Sequence, residues 1–111
     1  MRSAAAIFSG IALAFVAGVA MAARPPVVVE LFTAQGCSSC GPANASVAAM
    51  AGRDDVLPLT FSVDYWDYLG WKDTFAQKAF TDRQRAYAKK LGLREVYTPQ
   101  VVIDGHAQAS G

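Results

Sequence analysis

The sequence has 111 residues, 53% of them hydrophobic, with ten basic residues against nine acidic ones. That length holds one domain, and a charge so close to neutral excludes the basic surface that nucleic-acid binding needs. The only two cysteines, Cys37 and Cys40, lie too close together to staple distant segments, which excludes a disulfide framework of the small secreted kind.

The N-terminus reads as a secretory signal peptide over residues 1–22. Arg2 supplies the positive start, an apolar Ala-rich run extends from Ala4 to Ala20, and Ala20-Met21-Ala22 offers small residues for cleavage. The competing reading is a retained anchor, because the apolar run is about long enough to span a bilayer. Cleavage would leave one small domain, residues 23–111, with nine basic and nine acidic residues and a modest core. An exported chain, periplasmic or secreted, meets an oxidising setting in which disulfides persist. Contact with a membrane is expected only through an uncleaved leader.

Arg24-Pro25-Pro26 is a stiff lead-in. Val27 to Phe32 reads as a buried strand of the kind found at the centre of a parallel sheet. A short loop, Thr33 to Gly36, leads to Cys37, and a helix is expected from about Ser39 to Ala51, with Gly52 at its C-terminal cap. Val56 to Val63 alternates as a second strand, in which Pro58 removes a ladder donor. After the aromatic loop Asp64–Asp73, the pairs Thr81/Gln84 and Thr74/Gln77 each offer a capping box, and the first is taken to start a helix that ends near Gly92. A helical turn precedes it, and across the whole helical region Ala76, Phe80, Tyr87 and Leu91 keep helical spacing. A turn over Val96–Pro99, a third strand over Gln100–Ile103 and a hairpin signal at Asp104-Gly105 complete the pattern, with room for one short return strand.

Cys37-Ser38-Ser39-Cys40 sits at the mouth of a helix that follows a strand. Thiol–disulfide exchange needs a thiolate, and a helix N-terminus lowers a cysteine pKa through its unpaired amides and dipole. Cys37 is therefore the expected nucleophile. Cys40, one turn away, is the expected resolving thiol that displaces a bound substrate. Zinc would need four ligands, yet only His106 joins the pair, and c-type haem attachment would need His where Gly41 stands. No metal and no organic cofactor is expected. A permanent, unreactive bridge remains the alternative.

These segments, together with Tyr97-Thr98-Pro99 before the third strand, resemble the thioredoxin superfamily. The resemblance implies a thioredoxin-like α/β fold with a βαβ–α–β core, and a cis-proline at Pro99 that faces the cysteine pair. It also implies that Thr98 presents backbone groups to a bound peptide, a form of strand addition. Val29–Thr33, Gln35–Cys40, Val63–Asp73 and Val96–Gln100 further resemble the secreted bacterial family catalogued as domain of unknown function 1223. Members usually carry two prolines after the second cysteine, where this chain has Gly41-Pro42. They also continue further, so the C-terminal strand and helix of the fold are expected to be missing or incomplete.

Further features are read as follows. Glu30, inside an apolar strand, is either a buried proton acceptor for Cys40 with a raised pKa or an edge or strand-end carboxylate that faces solvent or pairs with a base. Asp64, Asp67 and Asp73 fit turn and capping roles better than any cation loop. Tyr65, Trp66, Tyr68 and Trp71 form either a substrate-facing wall, with Trp66 as its contact residue, or a small core under the loop. Arg83, Arg85, Lys89, Lys90 and Arg94 read as a solvated helix face, and His106 as a surface residue. The expected activity is that of an exported thiol–disulfide oxidoreductase acting on protein or small thiols, recycled by a further redox partner. The alternatives are a non-catalytic binding or structural domain with a fixed Cys37–Cys40 bridge, or a truncated remnant.

Overall fold

The structure, a computed structural model, describes residues 24–111; the signal-peptide reading of residues 1–22 lies outside the described residues. Among the described residues no helix is long and apolar enough to cross a membrane. The elements are β1 (Val27–Thr33), α1 (Gly41–Ala48), β2 (Val56–Ser62), a single 3-10 turn (Asp67–Leu69), α2 (Lys78–Lys90), β3 (Gln100–Ile103) and β4 (Ala107–Ser110). The sheet runs β2-β1-β3-β4, with β1 parallel to β2 and antiparallel to β3. This order fits the thioredoxin-like core that the sequence implies. The sheet is mixed rather than parallel, because β3 arrives in the opposite sense.

β1 is central, and its alternation sorts the two faces. Val29 and Leu31 pack with Ala43 and Val47 of α1. Phe32 packs on the other face with Ala34, Val63 and Val102, against Phe61, Trp66 and Tyr87. One helix therefore covers each face. The return strand is present: β4 pairs with all of β3. Asp104 (φ 49°) and Gly105 (φ 74°) both take positive φ at the hairpin, as a tight turn matched to strand twist requires. Among the described residues no helix follows β4.

Three expectations need correction. Helix α1 is shorter than Ser39–Ala51. The Pro42 ring fits only the first turn, and after Ala48 the chain tightens through Met50 N–H to Val47 O (3.0 Å) and Ala51 N–H to Ala48 O (3.1 Å). Gly52 does take a positive φ of 85° as the chain leaves. Pro58 removes no ladder bond. Val27 N–H reaches Asp55 O and Val63 N–H reaches Thr33 O, so odd-numbered residues of this stretch face β1 and Pro58 faces the outer edge. Finally, α2 starts at Lys78, not Thr81, and Gln77 at its cap makes no side-chain capping bond. Thr81 and Gln84 are not a capping box; they are buried residues of the helix's inner face, with Ala88. Thr81 donates to Asp64 Oδ1 (2.7 Å) and accepts the Asp64 N–H (3.0 Å), which is why a polar side chain is tolerated there.

Candidate functional site

Residues 34–40 form two successive turns between β1 and α1: Cys37 N–H bonds Ala34 O (3.2 Å) and Cys40 N–H bonds Cys37 O (3.2 Å). Cys40 is the N-cap of α1, and no acidic residue occupies the first turn to offset its dipole. The two cysteines are joined by a disulfide. Their exposures differ: Cys40 is 1% exposed, whereas Cys37 is half-buried beside two exposed serines. The Cys37 sulfur lies 3.6 Å from Ser39 Oγ.

The Thr98–Pro99 bond is cis. Trp66 connects this segment to the cysteine loop. Its indole N–H donates to Thr98 Oγ1 at 2.8 Å. Its backbone and Cβ press on Gly36, where an added Cβ would lie 3.2 Å from Trp66 Cβ, so only glycine fits beside Cys37 without displacement. Thr98 is half-buried and Pro99 buried. Among the described residues, no hydrogen bond engages the Thr98 N–H or carbonyl. An open backbone donor and acceptor thus lie on a segment tied to the cysteine loop.

The aromatic loop divides between its two readings. Tyr65 and Trp66 are half-buried and pack against the Phe32 cluster, while Tyr68 and Trp71 are exposed, at 77% and 61%. Burial pushes the Tyr65 hydroxyl up to about 12, against the opposing effects of its bond to Gln84 and the Arg85 charge. The loop is pinned rather than loose. Asp73, buried, accepts from the N–H groups of Gln35 (2.7 Å), Phe75 (2.9 Å) and Ala76 (3.1 Å). Gln35 Oε1 in turn accepts from the Trp71 indole (2.8 Å) and Thr74 N–H (3.0 Å). The three aspartates therefore serve turns and caps.

Glu30 takes the base-paired reading. It is 3% exposed and shares the Phe32 face with α2. Arg83 donates to both of its oxygens, at 2.7 and 2.9 Å, and Tyr87 OH donates at 2.7 Å. Burial alone would raise its pKa, but the Arg83 and Tyr87 hydrogen bonds and the Arg83 charge together hold it below the ordinary value. The raised pKa expected of a proton acceptor for Cys40 is thus reversed, because the carboxylate already has its cation. The Arg83 guanidinium also lies over the Phe61 and Tyr87 rings, 5.3 Å from each centroid. Arg83 keeps its place on the solvated basic face, its side chain 46% exposed, while its guanidinium reaches inward to Glu30.

The family described as "Protein of unknown function (DUF1223)" matches residues 28–111. The chain belongs to this family. Among solved structures, the crystal structure of protein AGR_C_4864 from Agrobacterium tumefaciens is similar, at 48% identity with a TM-score of 0.72. The match covers 76% of this chain and 38% of that one, so the chain spans well under half of that protein's length. No curated protein matches. DUF1223 membership thus agrees with the fold and leaves the chemistry to be argued from the site.

One buried group beside the candidate site is not assigned a role there by the sequence. Gln84, fully buried, accepts from Tyr65 OH (2.9 Å) and donates to Tyr97 O (2.7 Å) and Gln100 Oε1 (2.9 Å). Thr81, Gln84 and Ala88 do recur at helical spacing, but two of the three are polar, so apolar periodicity does not report them.

Proposed function

We propose that this chain is an exported thiol–disulfide oxidoreductase of the DUF1223 family, with Cys37 as nucleophile and Cys40 as resolving thiol. The observation that carries the reading is the asymmetry of the pair: Cys37 half-exposed outside the start of α1, Cys40 buried at its cap. In the oxidised form a substrate thiolate attacks the Cys37 sulfur, and Cys40 leaves as a thiolate. The second substrate thiolate then attacks the substrate sulfur of the mixed disulfide and releases Cys37, so the substrate gains a disulfide and the protein a dithiol. In the reverse direction the Cys37 thiolate opens a substrate disulfide and Cys40 attacks Cys37 to expel the substrate. The relative potentials set the direction. Thr98 offers its open backbone groups to the chain that carries the substrate cysteine.

A redox titration of the Cys37–Cys40 pair tests this. The expected potential lies between about −270 and −120 mV, where exchange enzymes of this type operate. The Cys37 thiol of the reduced form is expected to titrate below an ordinary cysteine, because it sits at the start of a helix. A potential below about −300 mV, with no thiolate at neutral pH, would mark a structural bridge and overturn the reading. It would favour a binding domain instead, for which the exposed Tyr68, Trp71 and Phe75 are the supporting observation.

A further inference from the structure

We infer that Gln84 is a positioning residue that aims the Thr98 N–H at the backbone of an extended polypeptide substrate. This rests on the oxidoreductase reading and narrows its substrate class to peptide-borne disulfides and dithiols. A primary amide with no exposure is destabilising unless each of its polar atoms is satisfied. Here the amide joins the aromatic loop, through Tyr65, to β3, through Gln100, and to the segment before Pro99, through Tyr97 O. Gln100 and Tyr97 continue the network to Gln108 on β4.

The decisive contact is the one to Tyr97 O. That carbonyl and the Thr98 N–H belong to one planar peptide unit, and in a trans unit the two point in opposite directions. The Tyr97–Thr98 bond is trans, since Thr98–Pro99 is the cis bond of the described residues. Drawing the carbonyl onto a fully buried amide turns the N–H away from the core, and it has no partner among the described residues. Trp66 fixes the Thr98 side chain separately. A methionine would fill the space of Gln84 and leave this donor without a fixed direction. A small dithiol has no peptide carbonyl to receive it, so only a polypeptide substrate gains from the arrangement.

The test compares wild type, Gln84→Met and Tyr65→Phe in the full chain. Tyr65→Phe removes one bond from the same amide but leaves Tyr97 O held. Substrates are a cysteine-containing peptide disulfide and dithiothreitol. Gln84→Met is expected to raise KM for the peptide at least about tenfold, the worth of one lost hydrogen bond with its orientation. Its rate with dithiothreitol and its Cys37–Cys40 potential should stay within about twofold of wild type, as should all values for Tyr65→Phe. Peptide and dithiothreitol rates falling together, no change in either, or an equal loss in Tyr65→Phe would overturn the inference. Nitrogen-15 relaxation of the Thr98 amide gives a second readout that needs no activity: ordered in wild type, mobile in Gln84→Met. Unchanged order would overturn the positioning role. If wild type exchanges neither substrate, the oxidoreductase reading fails, and relaxation still decides what Gln84 does to Thr98. Should Gln84→Met not fold, Gln84→Asn, one methylene too short to hold Tyr97 O, supports the same comparison.

Discussion

Replacing Arg83 with methionine is expected to destabilise the domain by about 2–3 kcal/mol at neutral pH, and by less in mild acid. Removing one partner of a buried ion pair leaves an uncompensated charge, which typically costs about 3–5 kcal/mol. The Arg83 side chain is 46% exposed against 4% for Glu30, so screening by solvent lowers the figure. The pH dependence follows from Glu30. In wild type its pKa is held below the ordinary 4.5. Its contribution is therefore complete above 4.5 and is lost as pH falls through the lower folded value. Without Arg83, burial dominates and favours the neutral acid, opposed only by the Tyr87 hydroxyl. Protonation then relieves the variant while leaving wild type unchanged, so the deficit should narrow between about pH 7.5 and pH 5. Urea unfolding at both pH values measures it. A deficit that stays constant would mean that stacking of the Arg83 guanidinium on the Phe61 and Tyr87 rings, rather than its pairing with Glu30, carries the effect.

Phe32→Ala is expected to cost about 3–5 kcal/mol, as for other buried aromatic truncations. The ring is fully buried at the centre of the sheet. It stacks on Phe61 of β2 at 5.4 Å and meets the edge of Tyr87 of α2 at 6.1 Å, so it ties strand, strand and helix together. A domain this small has on the order of 5–10 kcal/mol in total, so the variant should be partly unfolded near physiological temperature. A fall in the denaturant midpoint with an unchanged slope is the expected signature. A loss below about 1.5 kcal/mol would mean that Phe61 and Tyr87 collapse into the space.

Much of this architecture is legible in the residues themselves. The β-branched run of β1, the strand before Asp104-Gly105 and the cysteine motif carry local signals that tertiary contacts only reinforce. What stays hidden depends on partners far along the chain. Glu30 finds its base 53 residues away, and Trp66 its acceptor 32 residues away. No local pattern reports such pairings. The start of α2 is misread for a different reason. A capping box and an inward-facing stripe share a three-residue spacing, so Thr81 and Gln84 fit both. Burial decides between them, and burial of polar groups is not written in hydropathy.

The outward placement of Pro58 bears on how molecules of this kind meet one another. Among the described residues β2 is an edge strand, and its outer side would otherwise present an unbroken row of main-chain groups to a second sheet. The proline ring interrupts that row near its middle, and Ser62 O at its end is already taken by Gln77 N–H (3.4 Å). Pro58→Val should therefore leave stability nearly unchanged while promoting association in sedimentation at high concentration, because a neighbouring strand would then find a continuous template.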